Sequence, residues 1–224
     1  MKYSIAPSAL AYLFGDVLEN VFAGRVSRLT HSETLPCRGV KVKRGSLVNV
    51  MLAAVFVHLA EEGYLKLTLG RKRRILKSKA VFAMLSPQQL GQDLGGLEEQ
   101  IVSNIRGNQK EDDVRSIVYR LLGADSNNPW SVIIGKARGY LLGEGYFTEE
   151  EQRRITKRRR KKLIPKCERI ATLKGEAQQL REIMATFQAR QPELYRQLWK
   201  SAAAGVASRR ETPDVGVGDA MGID

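Results

Sequence analysis

Residues 46 to 85 decide the fold and read Ser46-Leu-Val-Asn-Val-Met-Leu-Ala-Ala-Val-Phe-Val-His-Leu-Ala-Glu-Glu-Gly63, Tyr64-Leu-Lys-Leu-Thr-Leu69, Gly70-Arg-Lys-Arg-Arg74 and Ile75-Leu-Lys-Ser-Lys-Ala-Val-Phe-Ala-Met-Leu85. The first segment is apolar on nearly every side, which is typical of a helix at the centre of a core. Ser46 is a suitable N-cap and Gly63 a typical helix stop. The pattern predicts a buried helix, a strand, a tight turn at Gly70 and a second strand. Four adjacent cations lie at the tip of this hairpin.

The composition indicates a folded and strongly basic protein. The chain has 224 residues, of which 43% are hydrophobic, and its 37 Lys and Arg against 24 Asp and Glu give a net charge of +13. Such a charge attracts polyanions, namely nucleic acid, an anionic membrane surface or acidic protein. We expect a single helical domain over residues 1–202 and, because periodicity ends there, a disordered tail over 203–224.

The two cysteines and the first residues indicate a cytoplasmic protein. Cys37 and Cys167 lie far apart in sequence, and we expect them to be reduced thiols, as is usual inside cells. The segment after Met1 lacks a long apolar core, so no signal peptide is expected. No apolar run is long enough for a confident membrane span, so any membrane contact should be peripheral.

Periodicity predicts further helices on both sides of the central stretch. Apolar residues recur at helical spacing in segments whose starts and stops carry capping residues, glycine or proline. The predicted helices cover residues 8–23, a segment after Ser86-Pro87, residues 111–122, residues 129–144 and a start at 148–151. After Pro165 comes a long helical region, broken at Pro192, for which packing against the body is favoured over a coiled coil. Residues 170–198 are also the candidate surface for a homo-oligomer.

Two segments end in the same way. Leu59-Ala-Glu-Glu-Gly63-Tyr64-Leu65 resembles Leu142-Gly-Glu-Gly145-Tyr146-Phe147, since both place an acid, glycine, tyrosine and a large apolar residue after an apolar helix. A repeated unit, about 46–85 and 129–165, explains this similarity. Common helix-stop chemistry explains it equally well.

No enzyme signature is present, and we predict no catalytic residues and no cofactor. Two histidines and two cysteines without close spacing give little material for a nucleophilic triad or a zinc site. His31 with Cys37 is half of a metal site at most, so no metal is expected. His58 lies in the most apolar helix and is interpreted as a core histidine.

Two basic clusters are the candidate binding residues. Phosphate or anionic lipid binding is predicted for Arg71, Lys72, Arg73, Arg74 and Lys77 in the first cluster, and for Lys157, Arg158, Arg159, Arg160, Lys161 and Lys162 in the second. Leu69 and Ile75 flank the first cluster and are predicted to insert into a membrane. The alternative is a winged-helix-like nucleic-acid-binding protein that uses the same cations, although residues 47–60 offer almost no polar groups to base edges.

The order of these elements resembles the Golgi phosphoprotein 3 family and its bacterial relatives over about residues 47–165. The similarity lies in the apolar helix ending at Gly63, the basic hairpin of 70–79, the Ser86-Pro87 start and the 128–151 segment. The resemblance implies a compact helical fold with a membrane-contacting hairpin, phosphoinositide binding and attachment of client membrane proteins. The family's pocket arginines would fall on Leu52, Ser131 and Ile134, and its pocket tryptophan finds no counterpart in 25–45. The headgroup pocket is therefore not carried over.

From the sequence we predict a mainly α fold with winged-helix-like helix–hairpin units. The predicted function is that of a non-enzymatic, cytoplasmic adaptor, peripheral on a membrane face and bound to anionic lipid of the phosphoinositide type.

Overall fold

The computed structural model describes residues 3–19, 32–72, 78–86, 94–107, 111–123, 128–153 and 159–208. Its helices are α1 (Pro7–Leu13), α2 (Gly15–Glu19), α3 (Arg44–Glu61), α4 (Gly96–Arg106), α5 (Val114–Leu121), α6 (Pro129–Gly143), α7 (Cys167–Ala171), α8 (Lys174–Arg190) and α9 (Pro192–Ala207). Its strands are β1 (Ser32–Thr34), β2 (Lys41–Lys43), β3 (Leu65–Lys72), β4 (Ser78–Leu85), β5 (Glu111–Asp113), β6 (Phe147–Arg153) and β7 (Arg159–Pro165).

Helix α3 is the centre of the core, as its composition predicts. Every side chain from Val50 to Leu59 is buried, and α1, α2, α6, α8 and α9 pack around the helix. It is the one helix of the described ranges with the length and hydropathy of a membrane span. Because its apolar surface is already covered by the other helices, we assign it to the core.

The start of α3 differs from the prediction. The helix begins at Arg44 rather than after Ser46, and its N-cap, Lys43, has an extended backbone and no side-chain capping bond. Strand β2 ends at Lys43 and continues directly into α3. The strand therefore sets the helix start, and Ser46 lies in the first helical turn.

The predicted mainly α, winged-helix-like fold class is wrong. Seven strands form three separate antiparallel sheets in the described residues, with the orders β1-β2, β3-β4-β5 and β6-β7. The arrangement is therefore mixed α and β. Periodicity missed strands β5, β6 and β7 because they are mostly charged and lack the apolar alternation of a half-buried strand. Only the repeat reading of 129–165 left a second hairpin open.

Three local predictions are also corrected. Gly70 is not in a turn, since it pairs with Ala80 inside the hairpin, and the ring of Phe82 fills the space where a Cβ on Gly70 would lie. The segment 148–151 belongs to strand β6 and not to a helix start. Residues 111–113 form β5, after which Asp113 caps α5 by accepting a hydrogen bond from the Ser116 N–H at 3.2 Å.

The two ends of the chain also depart from the expected pattern. The predicted helix over residues 8–23 is two helices, because Phe14 leaves the helical conformation between α1 and α2, and residues 20–23 lie outside the described residues. Helix α9 continues to Ala207, five residues into the predicted tail. The rest of that tail, from residue 209, lies outside the described residues. Helices α8 and α9 pack on α3, as the interruption at Pro192 indicated.

Candidate functional site: two basic hairpins

Two helix–hairpin units end their helices with the same geometry. Strands β3 and β4, called hairpin 1, follow α3, and strands β6 and β7, called hairpin 2, follow α6. Gly63 and Gly145 end the helices at φ 76° and 73°, a left-handed conformation that glycine adopts most easily. In each unit the tyrosine that follows donates its backbone N–H to a helix carbonyl, at 2.8 Å. Each strand therefore leaves its helix in the same way.

The bases of the two hairpins are also closed in the same way. Ser86 donates its backbone N–H to the carbonyl of Tyr64, and Lys166 donates to Tyr146, both at 2.9 Å. Because hydrogen-bonded and non-hydrogen-bonded pairs alternate in an antiparallel ladder, these bonds determine which backbone groups point towards the partner strand in each hairpin. The remaining backbone groups point away from the partner strand, to the outer edge.

Hairpin 1 places an exposed leucine beside a cation. Leu69 is 45% exposed, and it lies on the same face of β3 as Arg71, two residues further along. Lys79 is the cross-strand partner of Arg71. The outer part of this face therefore combines an apolar side chain with two cations.

The described cations of hairpin 1 have little compensating charge. Residues 64–86 contain seven cations and no acidic residue. Lys79 forms an ion pair with Glu193 of α9 at 3.1 Å. Within the described ranges, no ion pair is found for Lys66 or Arg71. This charge is available to an external anion.

Several predicted site residues lie outside the described residues. They are Arg73, Arg74, Ile75, Lys77, Lys157 and Arg158. Lys72 is the last residue of β3, and Arg159 and Arg160 are the first two residues of β7. Lys161 and Lys162 are exposed on β7. The described members of the two clusters lie in two separate sheets.

The basic strand of hairpin 2 lies against an acidic strand. Glu150 is opposite Lys162, and Glu151 is opposite Lys161. Lys161 Nζ also donates to Glu149 Oε2 at 2.6 Å, and this hydrogen bond raises the pKa of Lys161. The second cluster is therefore partly neutralised within its own hairpin, which sequence order alone does not reveal.

A third group of charges was missed by sequence reasoning. Glu33, only 6% exposed, accepts hydrogen bonds from Arg44 Nε at 3.2 Å and from Arg138 Nη2. Arg138 Nε donates to the Tyr12 hydroxyl at 2.7 Å, and burial is the largest cause that raises the pKa of Tyr12. No sequence signal joins these residues, because they come from four separate segments. The group connects β1 to α1, α3 and α6.

The cysteines are joined, so the prediction of reduced thiols is wrong. Cys37 and Cys167 form a disulfide with a Cα–Cα distance of 5.4 Å across 130 residues of sequence. The bond connects the β1–β2 turn to the first residue of α7. It also occupies the sulfur of Cys37, which therefore cannot be a thiolate ligand beside His31, a residue outside the described ranges. No metal-ligand cluster is found in the described part of the chain.

Two buried acid–base groups lie away from the hairpins. Glu98 is 2% exposed and accepts hydrogen bonds from Ser8 N at 2.7 Å and Ser8 Oγ at 2.8 Å. Burial raises the pKa of Glu98 to about 7. His58 is buried edge-to-face against Tyr3, at 5.4 Å between ring centroids, and burial lowers its pKa. The His58 position agrees with a core histidine, although its Nδ1 has no hydrogen-bond partner in the described residues.

Comparison with known proteins leaves the resemblance as a prediction. No protein-family model, no curated protein and no solved structure matches this chain.

Proposed function

We propose that this protein is a non-enzymatic peripheral membrane adaptor that binds anionic lipid through hairpin 1. The observation that supports this best is the exposed Leu69 beside Arg71 on a hairpin without acidic residues. A membrane interface accepts both groups, because the leucine enters the boundary of the acyl chains while the cation remains among the headgroups.

The expected energies are sufficient for reversible attachment. Each cation near an anionic membrane contributes about 1 kcal/mol, and full burial of a leucine side chain contributes about 1.5–3 kcal/mol. The segment 64–86 has seven cations, of which only part can face one surface. Attachment should therefore weaken as salt screens the charges.

The proposal depends on the hairpin surface and not on a headgroup pocket. Leu52 and Ile134, at positions where the resembling family has arginines, are 0% and 2% exposed. Buried apolar side chains cannot bind a phosphate. The lipid we propose is one with a phosphorylated, multiply charged headgroup, of the phosphoinositide type, because such a headgroup places the most charge beside the hairpin.

The adaptor role and the cytoplasmic location belong to the same proposal. They follow from the resemblance, which implies client membrane proteins bound at a membrane face. The cytosolic glutathione pool reduces most exposed disulfides. The disulfide between Cys37 and Cys167 counts against this location. A bond that persists in cells would overturn the cytoplasmic location and leave the lipid proposal for hairpin 1 unaffected.

Vesicle co-sedimentation tests the lipid proposal. Leu69→Glu places a negative charge at the exposed apolar position and should abolish sedimentation with vesicles that contain anionic lipid. Met84→Glu is the matched control, since Met84 is 37% exposed on the opposite face of the same hairpin. It should retain most of the binding. Equal sedimentation of Leu69→Glu and the parent protein would contradict insertion through this face.

A random DNA duplex at about 0.15 M salt, where the Debye length is about 8 Å, tests the nucleic-acid alternative. We expect weak duplex binding that does not depend on Leu69. Tight duplex binding without vesicle binding would overturn the membrane proposal. Binding to neither would also overturn it, because the charge would then be only a solvated surface.

A further inference from the structure

No strand of the described residues covers the outer edge of β7 in hairpin 2. Its sheet contains only β6 and β7 among the described residues, whereas β4 of hairpin 1 is paired on its far side with β5. An open edge presents backbone N–H and C=O groups that another extended chain can pair with. Strand β7 is seven residues long, enough for several such pairs.

The ladder of hairpin 2 determines which groups face outward. The bond from Lys166 N–H to the carbonyl of Tyr146 makes that pair a hydrogen-bonded one. The pairs that contain Ile164, Lys162 and Arg160 are then hydrogen-bonded as well, because hydrogen-bonded and non-hydrogen-bonded pairs alternate. The backbone groups of Leu163, Lys161 and Arg159 therefore point away from β6. Pro165 has no N–H but belongs to a non-hydrogen-bonded pair, so the inner ladder loses nothing.

The charge of hairpin 2 favours an acidic partner. Residues 147–166 contain nine cations and three acids, and all three acids lie on β6, along the inner edge of β7. Lys162 is exposed and has no ion-pair partner in the part of the chain that the structure describes. Excess cations of this kind prevent neutral strands from adding to the edge while attracting acidic ones.

We propose that the outer edge of β7 binds an extended acidic segment of a partner protein as a third strand. Strand β6 supplies the template, since its three consecutive glutamates already pair with the inner edge of the same strand. A partner segment with two or three acidic residues in a row repeats that arrangement on the outer edge. This site is independent of lipid binding by hairpin 1, and it identifies the chemistry of a client for an adaptor.

The probe is a labelled peptide that copies Thr148–Gln152 between glycines, titrated by fluorescence anisotropy at about 0.15 M salt. We expect a Kd in the micromolar range. The matched control is the same peptide with its central backbone nitrogens methylated, which keeps every charge and removes the N–H donors of both edges. Because several backbone hydrogen bonds are lost, the control should bind at least about tenfold more weakly.

A pair of protein variants tests the edge from the other side. Lys161→Pro and Lys161→Gln both remove the charge and the bond to Glu149, but only proline removes the outward N–H. We expect Lys161→Pro to bind the peptide several-fold more weakly than Lys161→Gln, with circular dichroism confirming that both fold. Leu69→Glu in hairpin 1 should bind the peptide as the parent does.

Three results would overturn the proposal. Equal binding of the methylated and unmethylated peptides would mean charge attraction without strand pairing. No binding of either peptide would remove the acidic segment as the occupant. Anionic vesicles that bind through Lys161 and Lys162, with no peptide binding, would assign hairpin 2 to the membrane instead. If Lys161→Pro fails to fold, the peptide pair alone decides.

Discussion

Hairpins 1 and 2 follow the same kind of helix and end in the same closures, yet they carry their charges differently. Hairpin 1 has cations on both strands and no acid, and β5 and α9 support it. Hairpin 2 separates its charges into an acidic strand and a basic strand. A run of cations in a sequence is therefore not yet a cationic surface. The strand opposite the run decides how much charge remains available.

The two hairpins also differ in how they are attached. Phe82 and Met84 of β4 pair with β5, and Lys79 binds Glu193 of α9. Hairpin 2 is followed at once by Cys167, whose disulfide connects it to the β1–β2 turn. Hairpin 1 is thus held by packing against β5 and α9. Hairpin 2 is secured by a covalent bond next to its own base.

Removal of the disulfide should give the largest effect and should separate the two hairpins. A loop of 130 residues corresponds to about 5 kcal/mol in the chain-entropy account, and measured losses are typically about 2–5 kcal/mol. We expect the double variant Cys37→Ser, Cys167→Ser to lose stability in this range in urea unfolding. Amide hydrogen exchange should accelerate at residues 147–153 and 161–165 more than in β3 and β4.

The control for this experiment is the parent protein with a reductant, which should match the double variant. A double variant as stable as the oxidised parent would show that the bond adds no restraint. Equal acceleration of exchange in both hairpins would contradict the separate attachment of hairpin 2.

The sequence predicted the parts of the fold that depend on local pattern. Helix α3 and its stop at Gly63 were predictable because burial and stop chemistry act within a few residues. The same holds for the Asn128 cap, whose side chain accepts a hydrogen bond from the Ser131 N–H. The charged strand β6 was not predictable from local periodicity, because its stability comes from pairing with a strand that begins six residues after it ends. The repeated helix stop at Gly145 was the one signal for it.

The candidate site was only partly predictable, for a related reason. Arg71 and Leu69 are close in sequence, so their proximity on one hairpin follows from the register. Glu33, Arg44 and Arg138 come together only when β1, α3 and α6 are packed. The disulfide joins two residues 130 positions apart. Contacts of this kind depend on the complete topology, which a single sequence does not specify.

The second prediction concerns the buried acid Glu98, which, unlike the exposed acids of hairpin 2, is expected to make the free energy of unfolding depend on pH. Burial raises the pKa of Glu98 from 4.5 to about 7, so the folded state retains a proton that the unfolded state releases. The contribution of Glu98 to stability should therefore fall as the pH rises from about 4.5 to 7 and level off above it, by about 3 kcal/mol in total. His58, whose pKa is lowered by burial, contributes in the opposite direction in both the parent and the variant. Glu98→Gln should remove this slope, because the amide does not titrate. Its oxygen can accept from the Ser8 N–H, and its N–H can donate to Ser8 Oγ.

Urea unfolding between pH 4.5 and 8 measures this difference between variant and parent. Glu99→Gln, at the exposed neighbouring position in α4, is the matched control and should keep the slope of the parent. A Glu98→Gln protein that retains the full slope would place the titrating group elsewhere. In that case a group other than Glu98 would have to hold its proton more tightly in the folded state than in the unfolded state.

The third prediction has the smallest effect on stability and tests the comparison of the hairpins directly. Glu149→Gln removes the acid that accepts a hydrogen bond from Lys161 at 2.6 Å. The pair is exposed, with 67% and 37% of the two side chains accessible, so the loss of stability should be small. Vesicle binding should increase, because hairpin 2 then gains one uncompensated cation and approaches the charge state of hairpin 1.

Co-sedimentation of Glu149→Gln in the Leu69→Glu background isolates this gain from hairpin 1. If vesicle binding stays absent in that background, neutralisation by β6 is not what distinguishes the hairpins. The exposed Leu69 of hairpin 1 then becomes the decisive difference. Among the described residues of hairpin 2, no large hydrophobic side chain is as exposed.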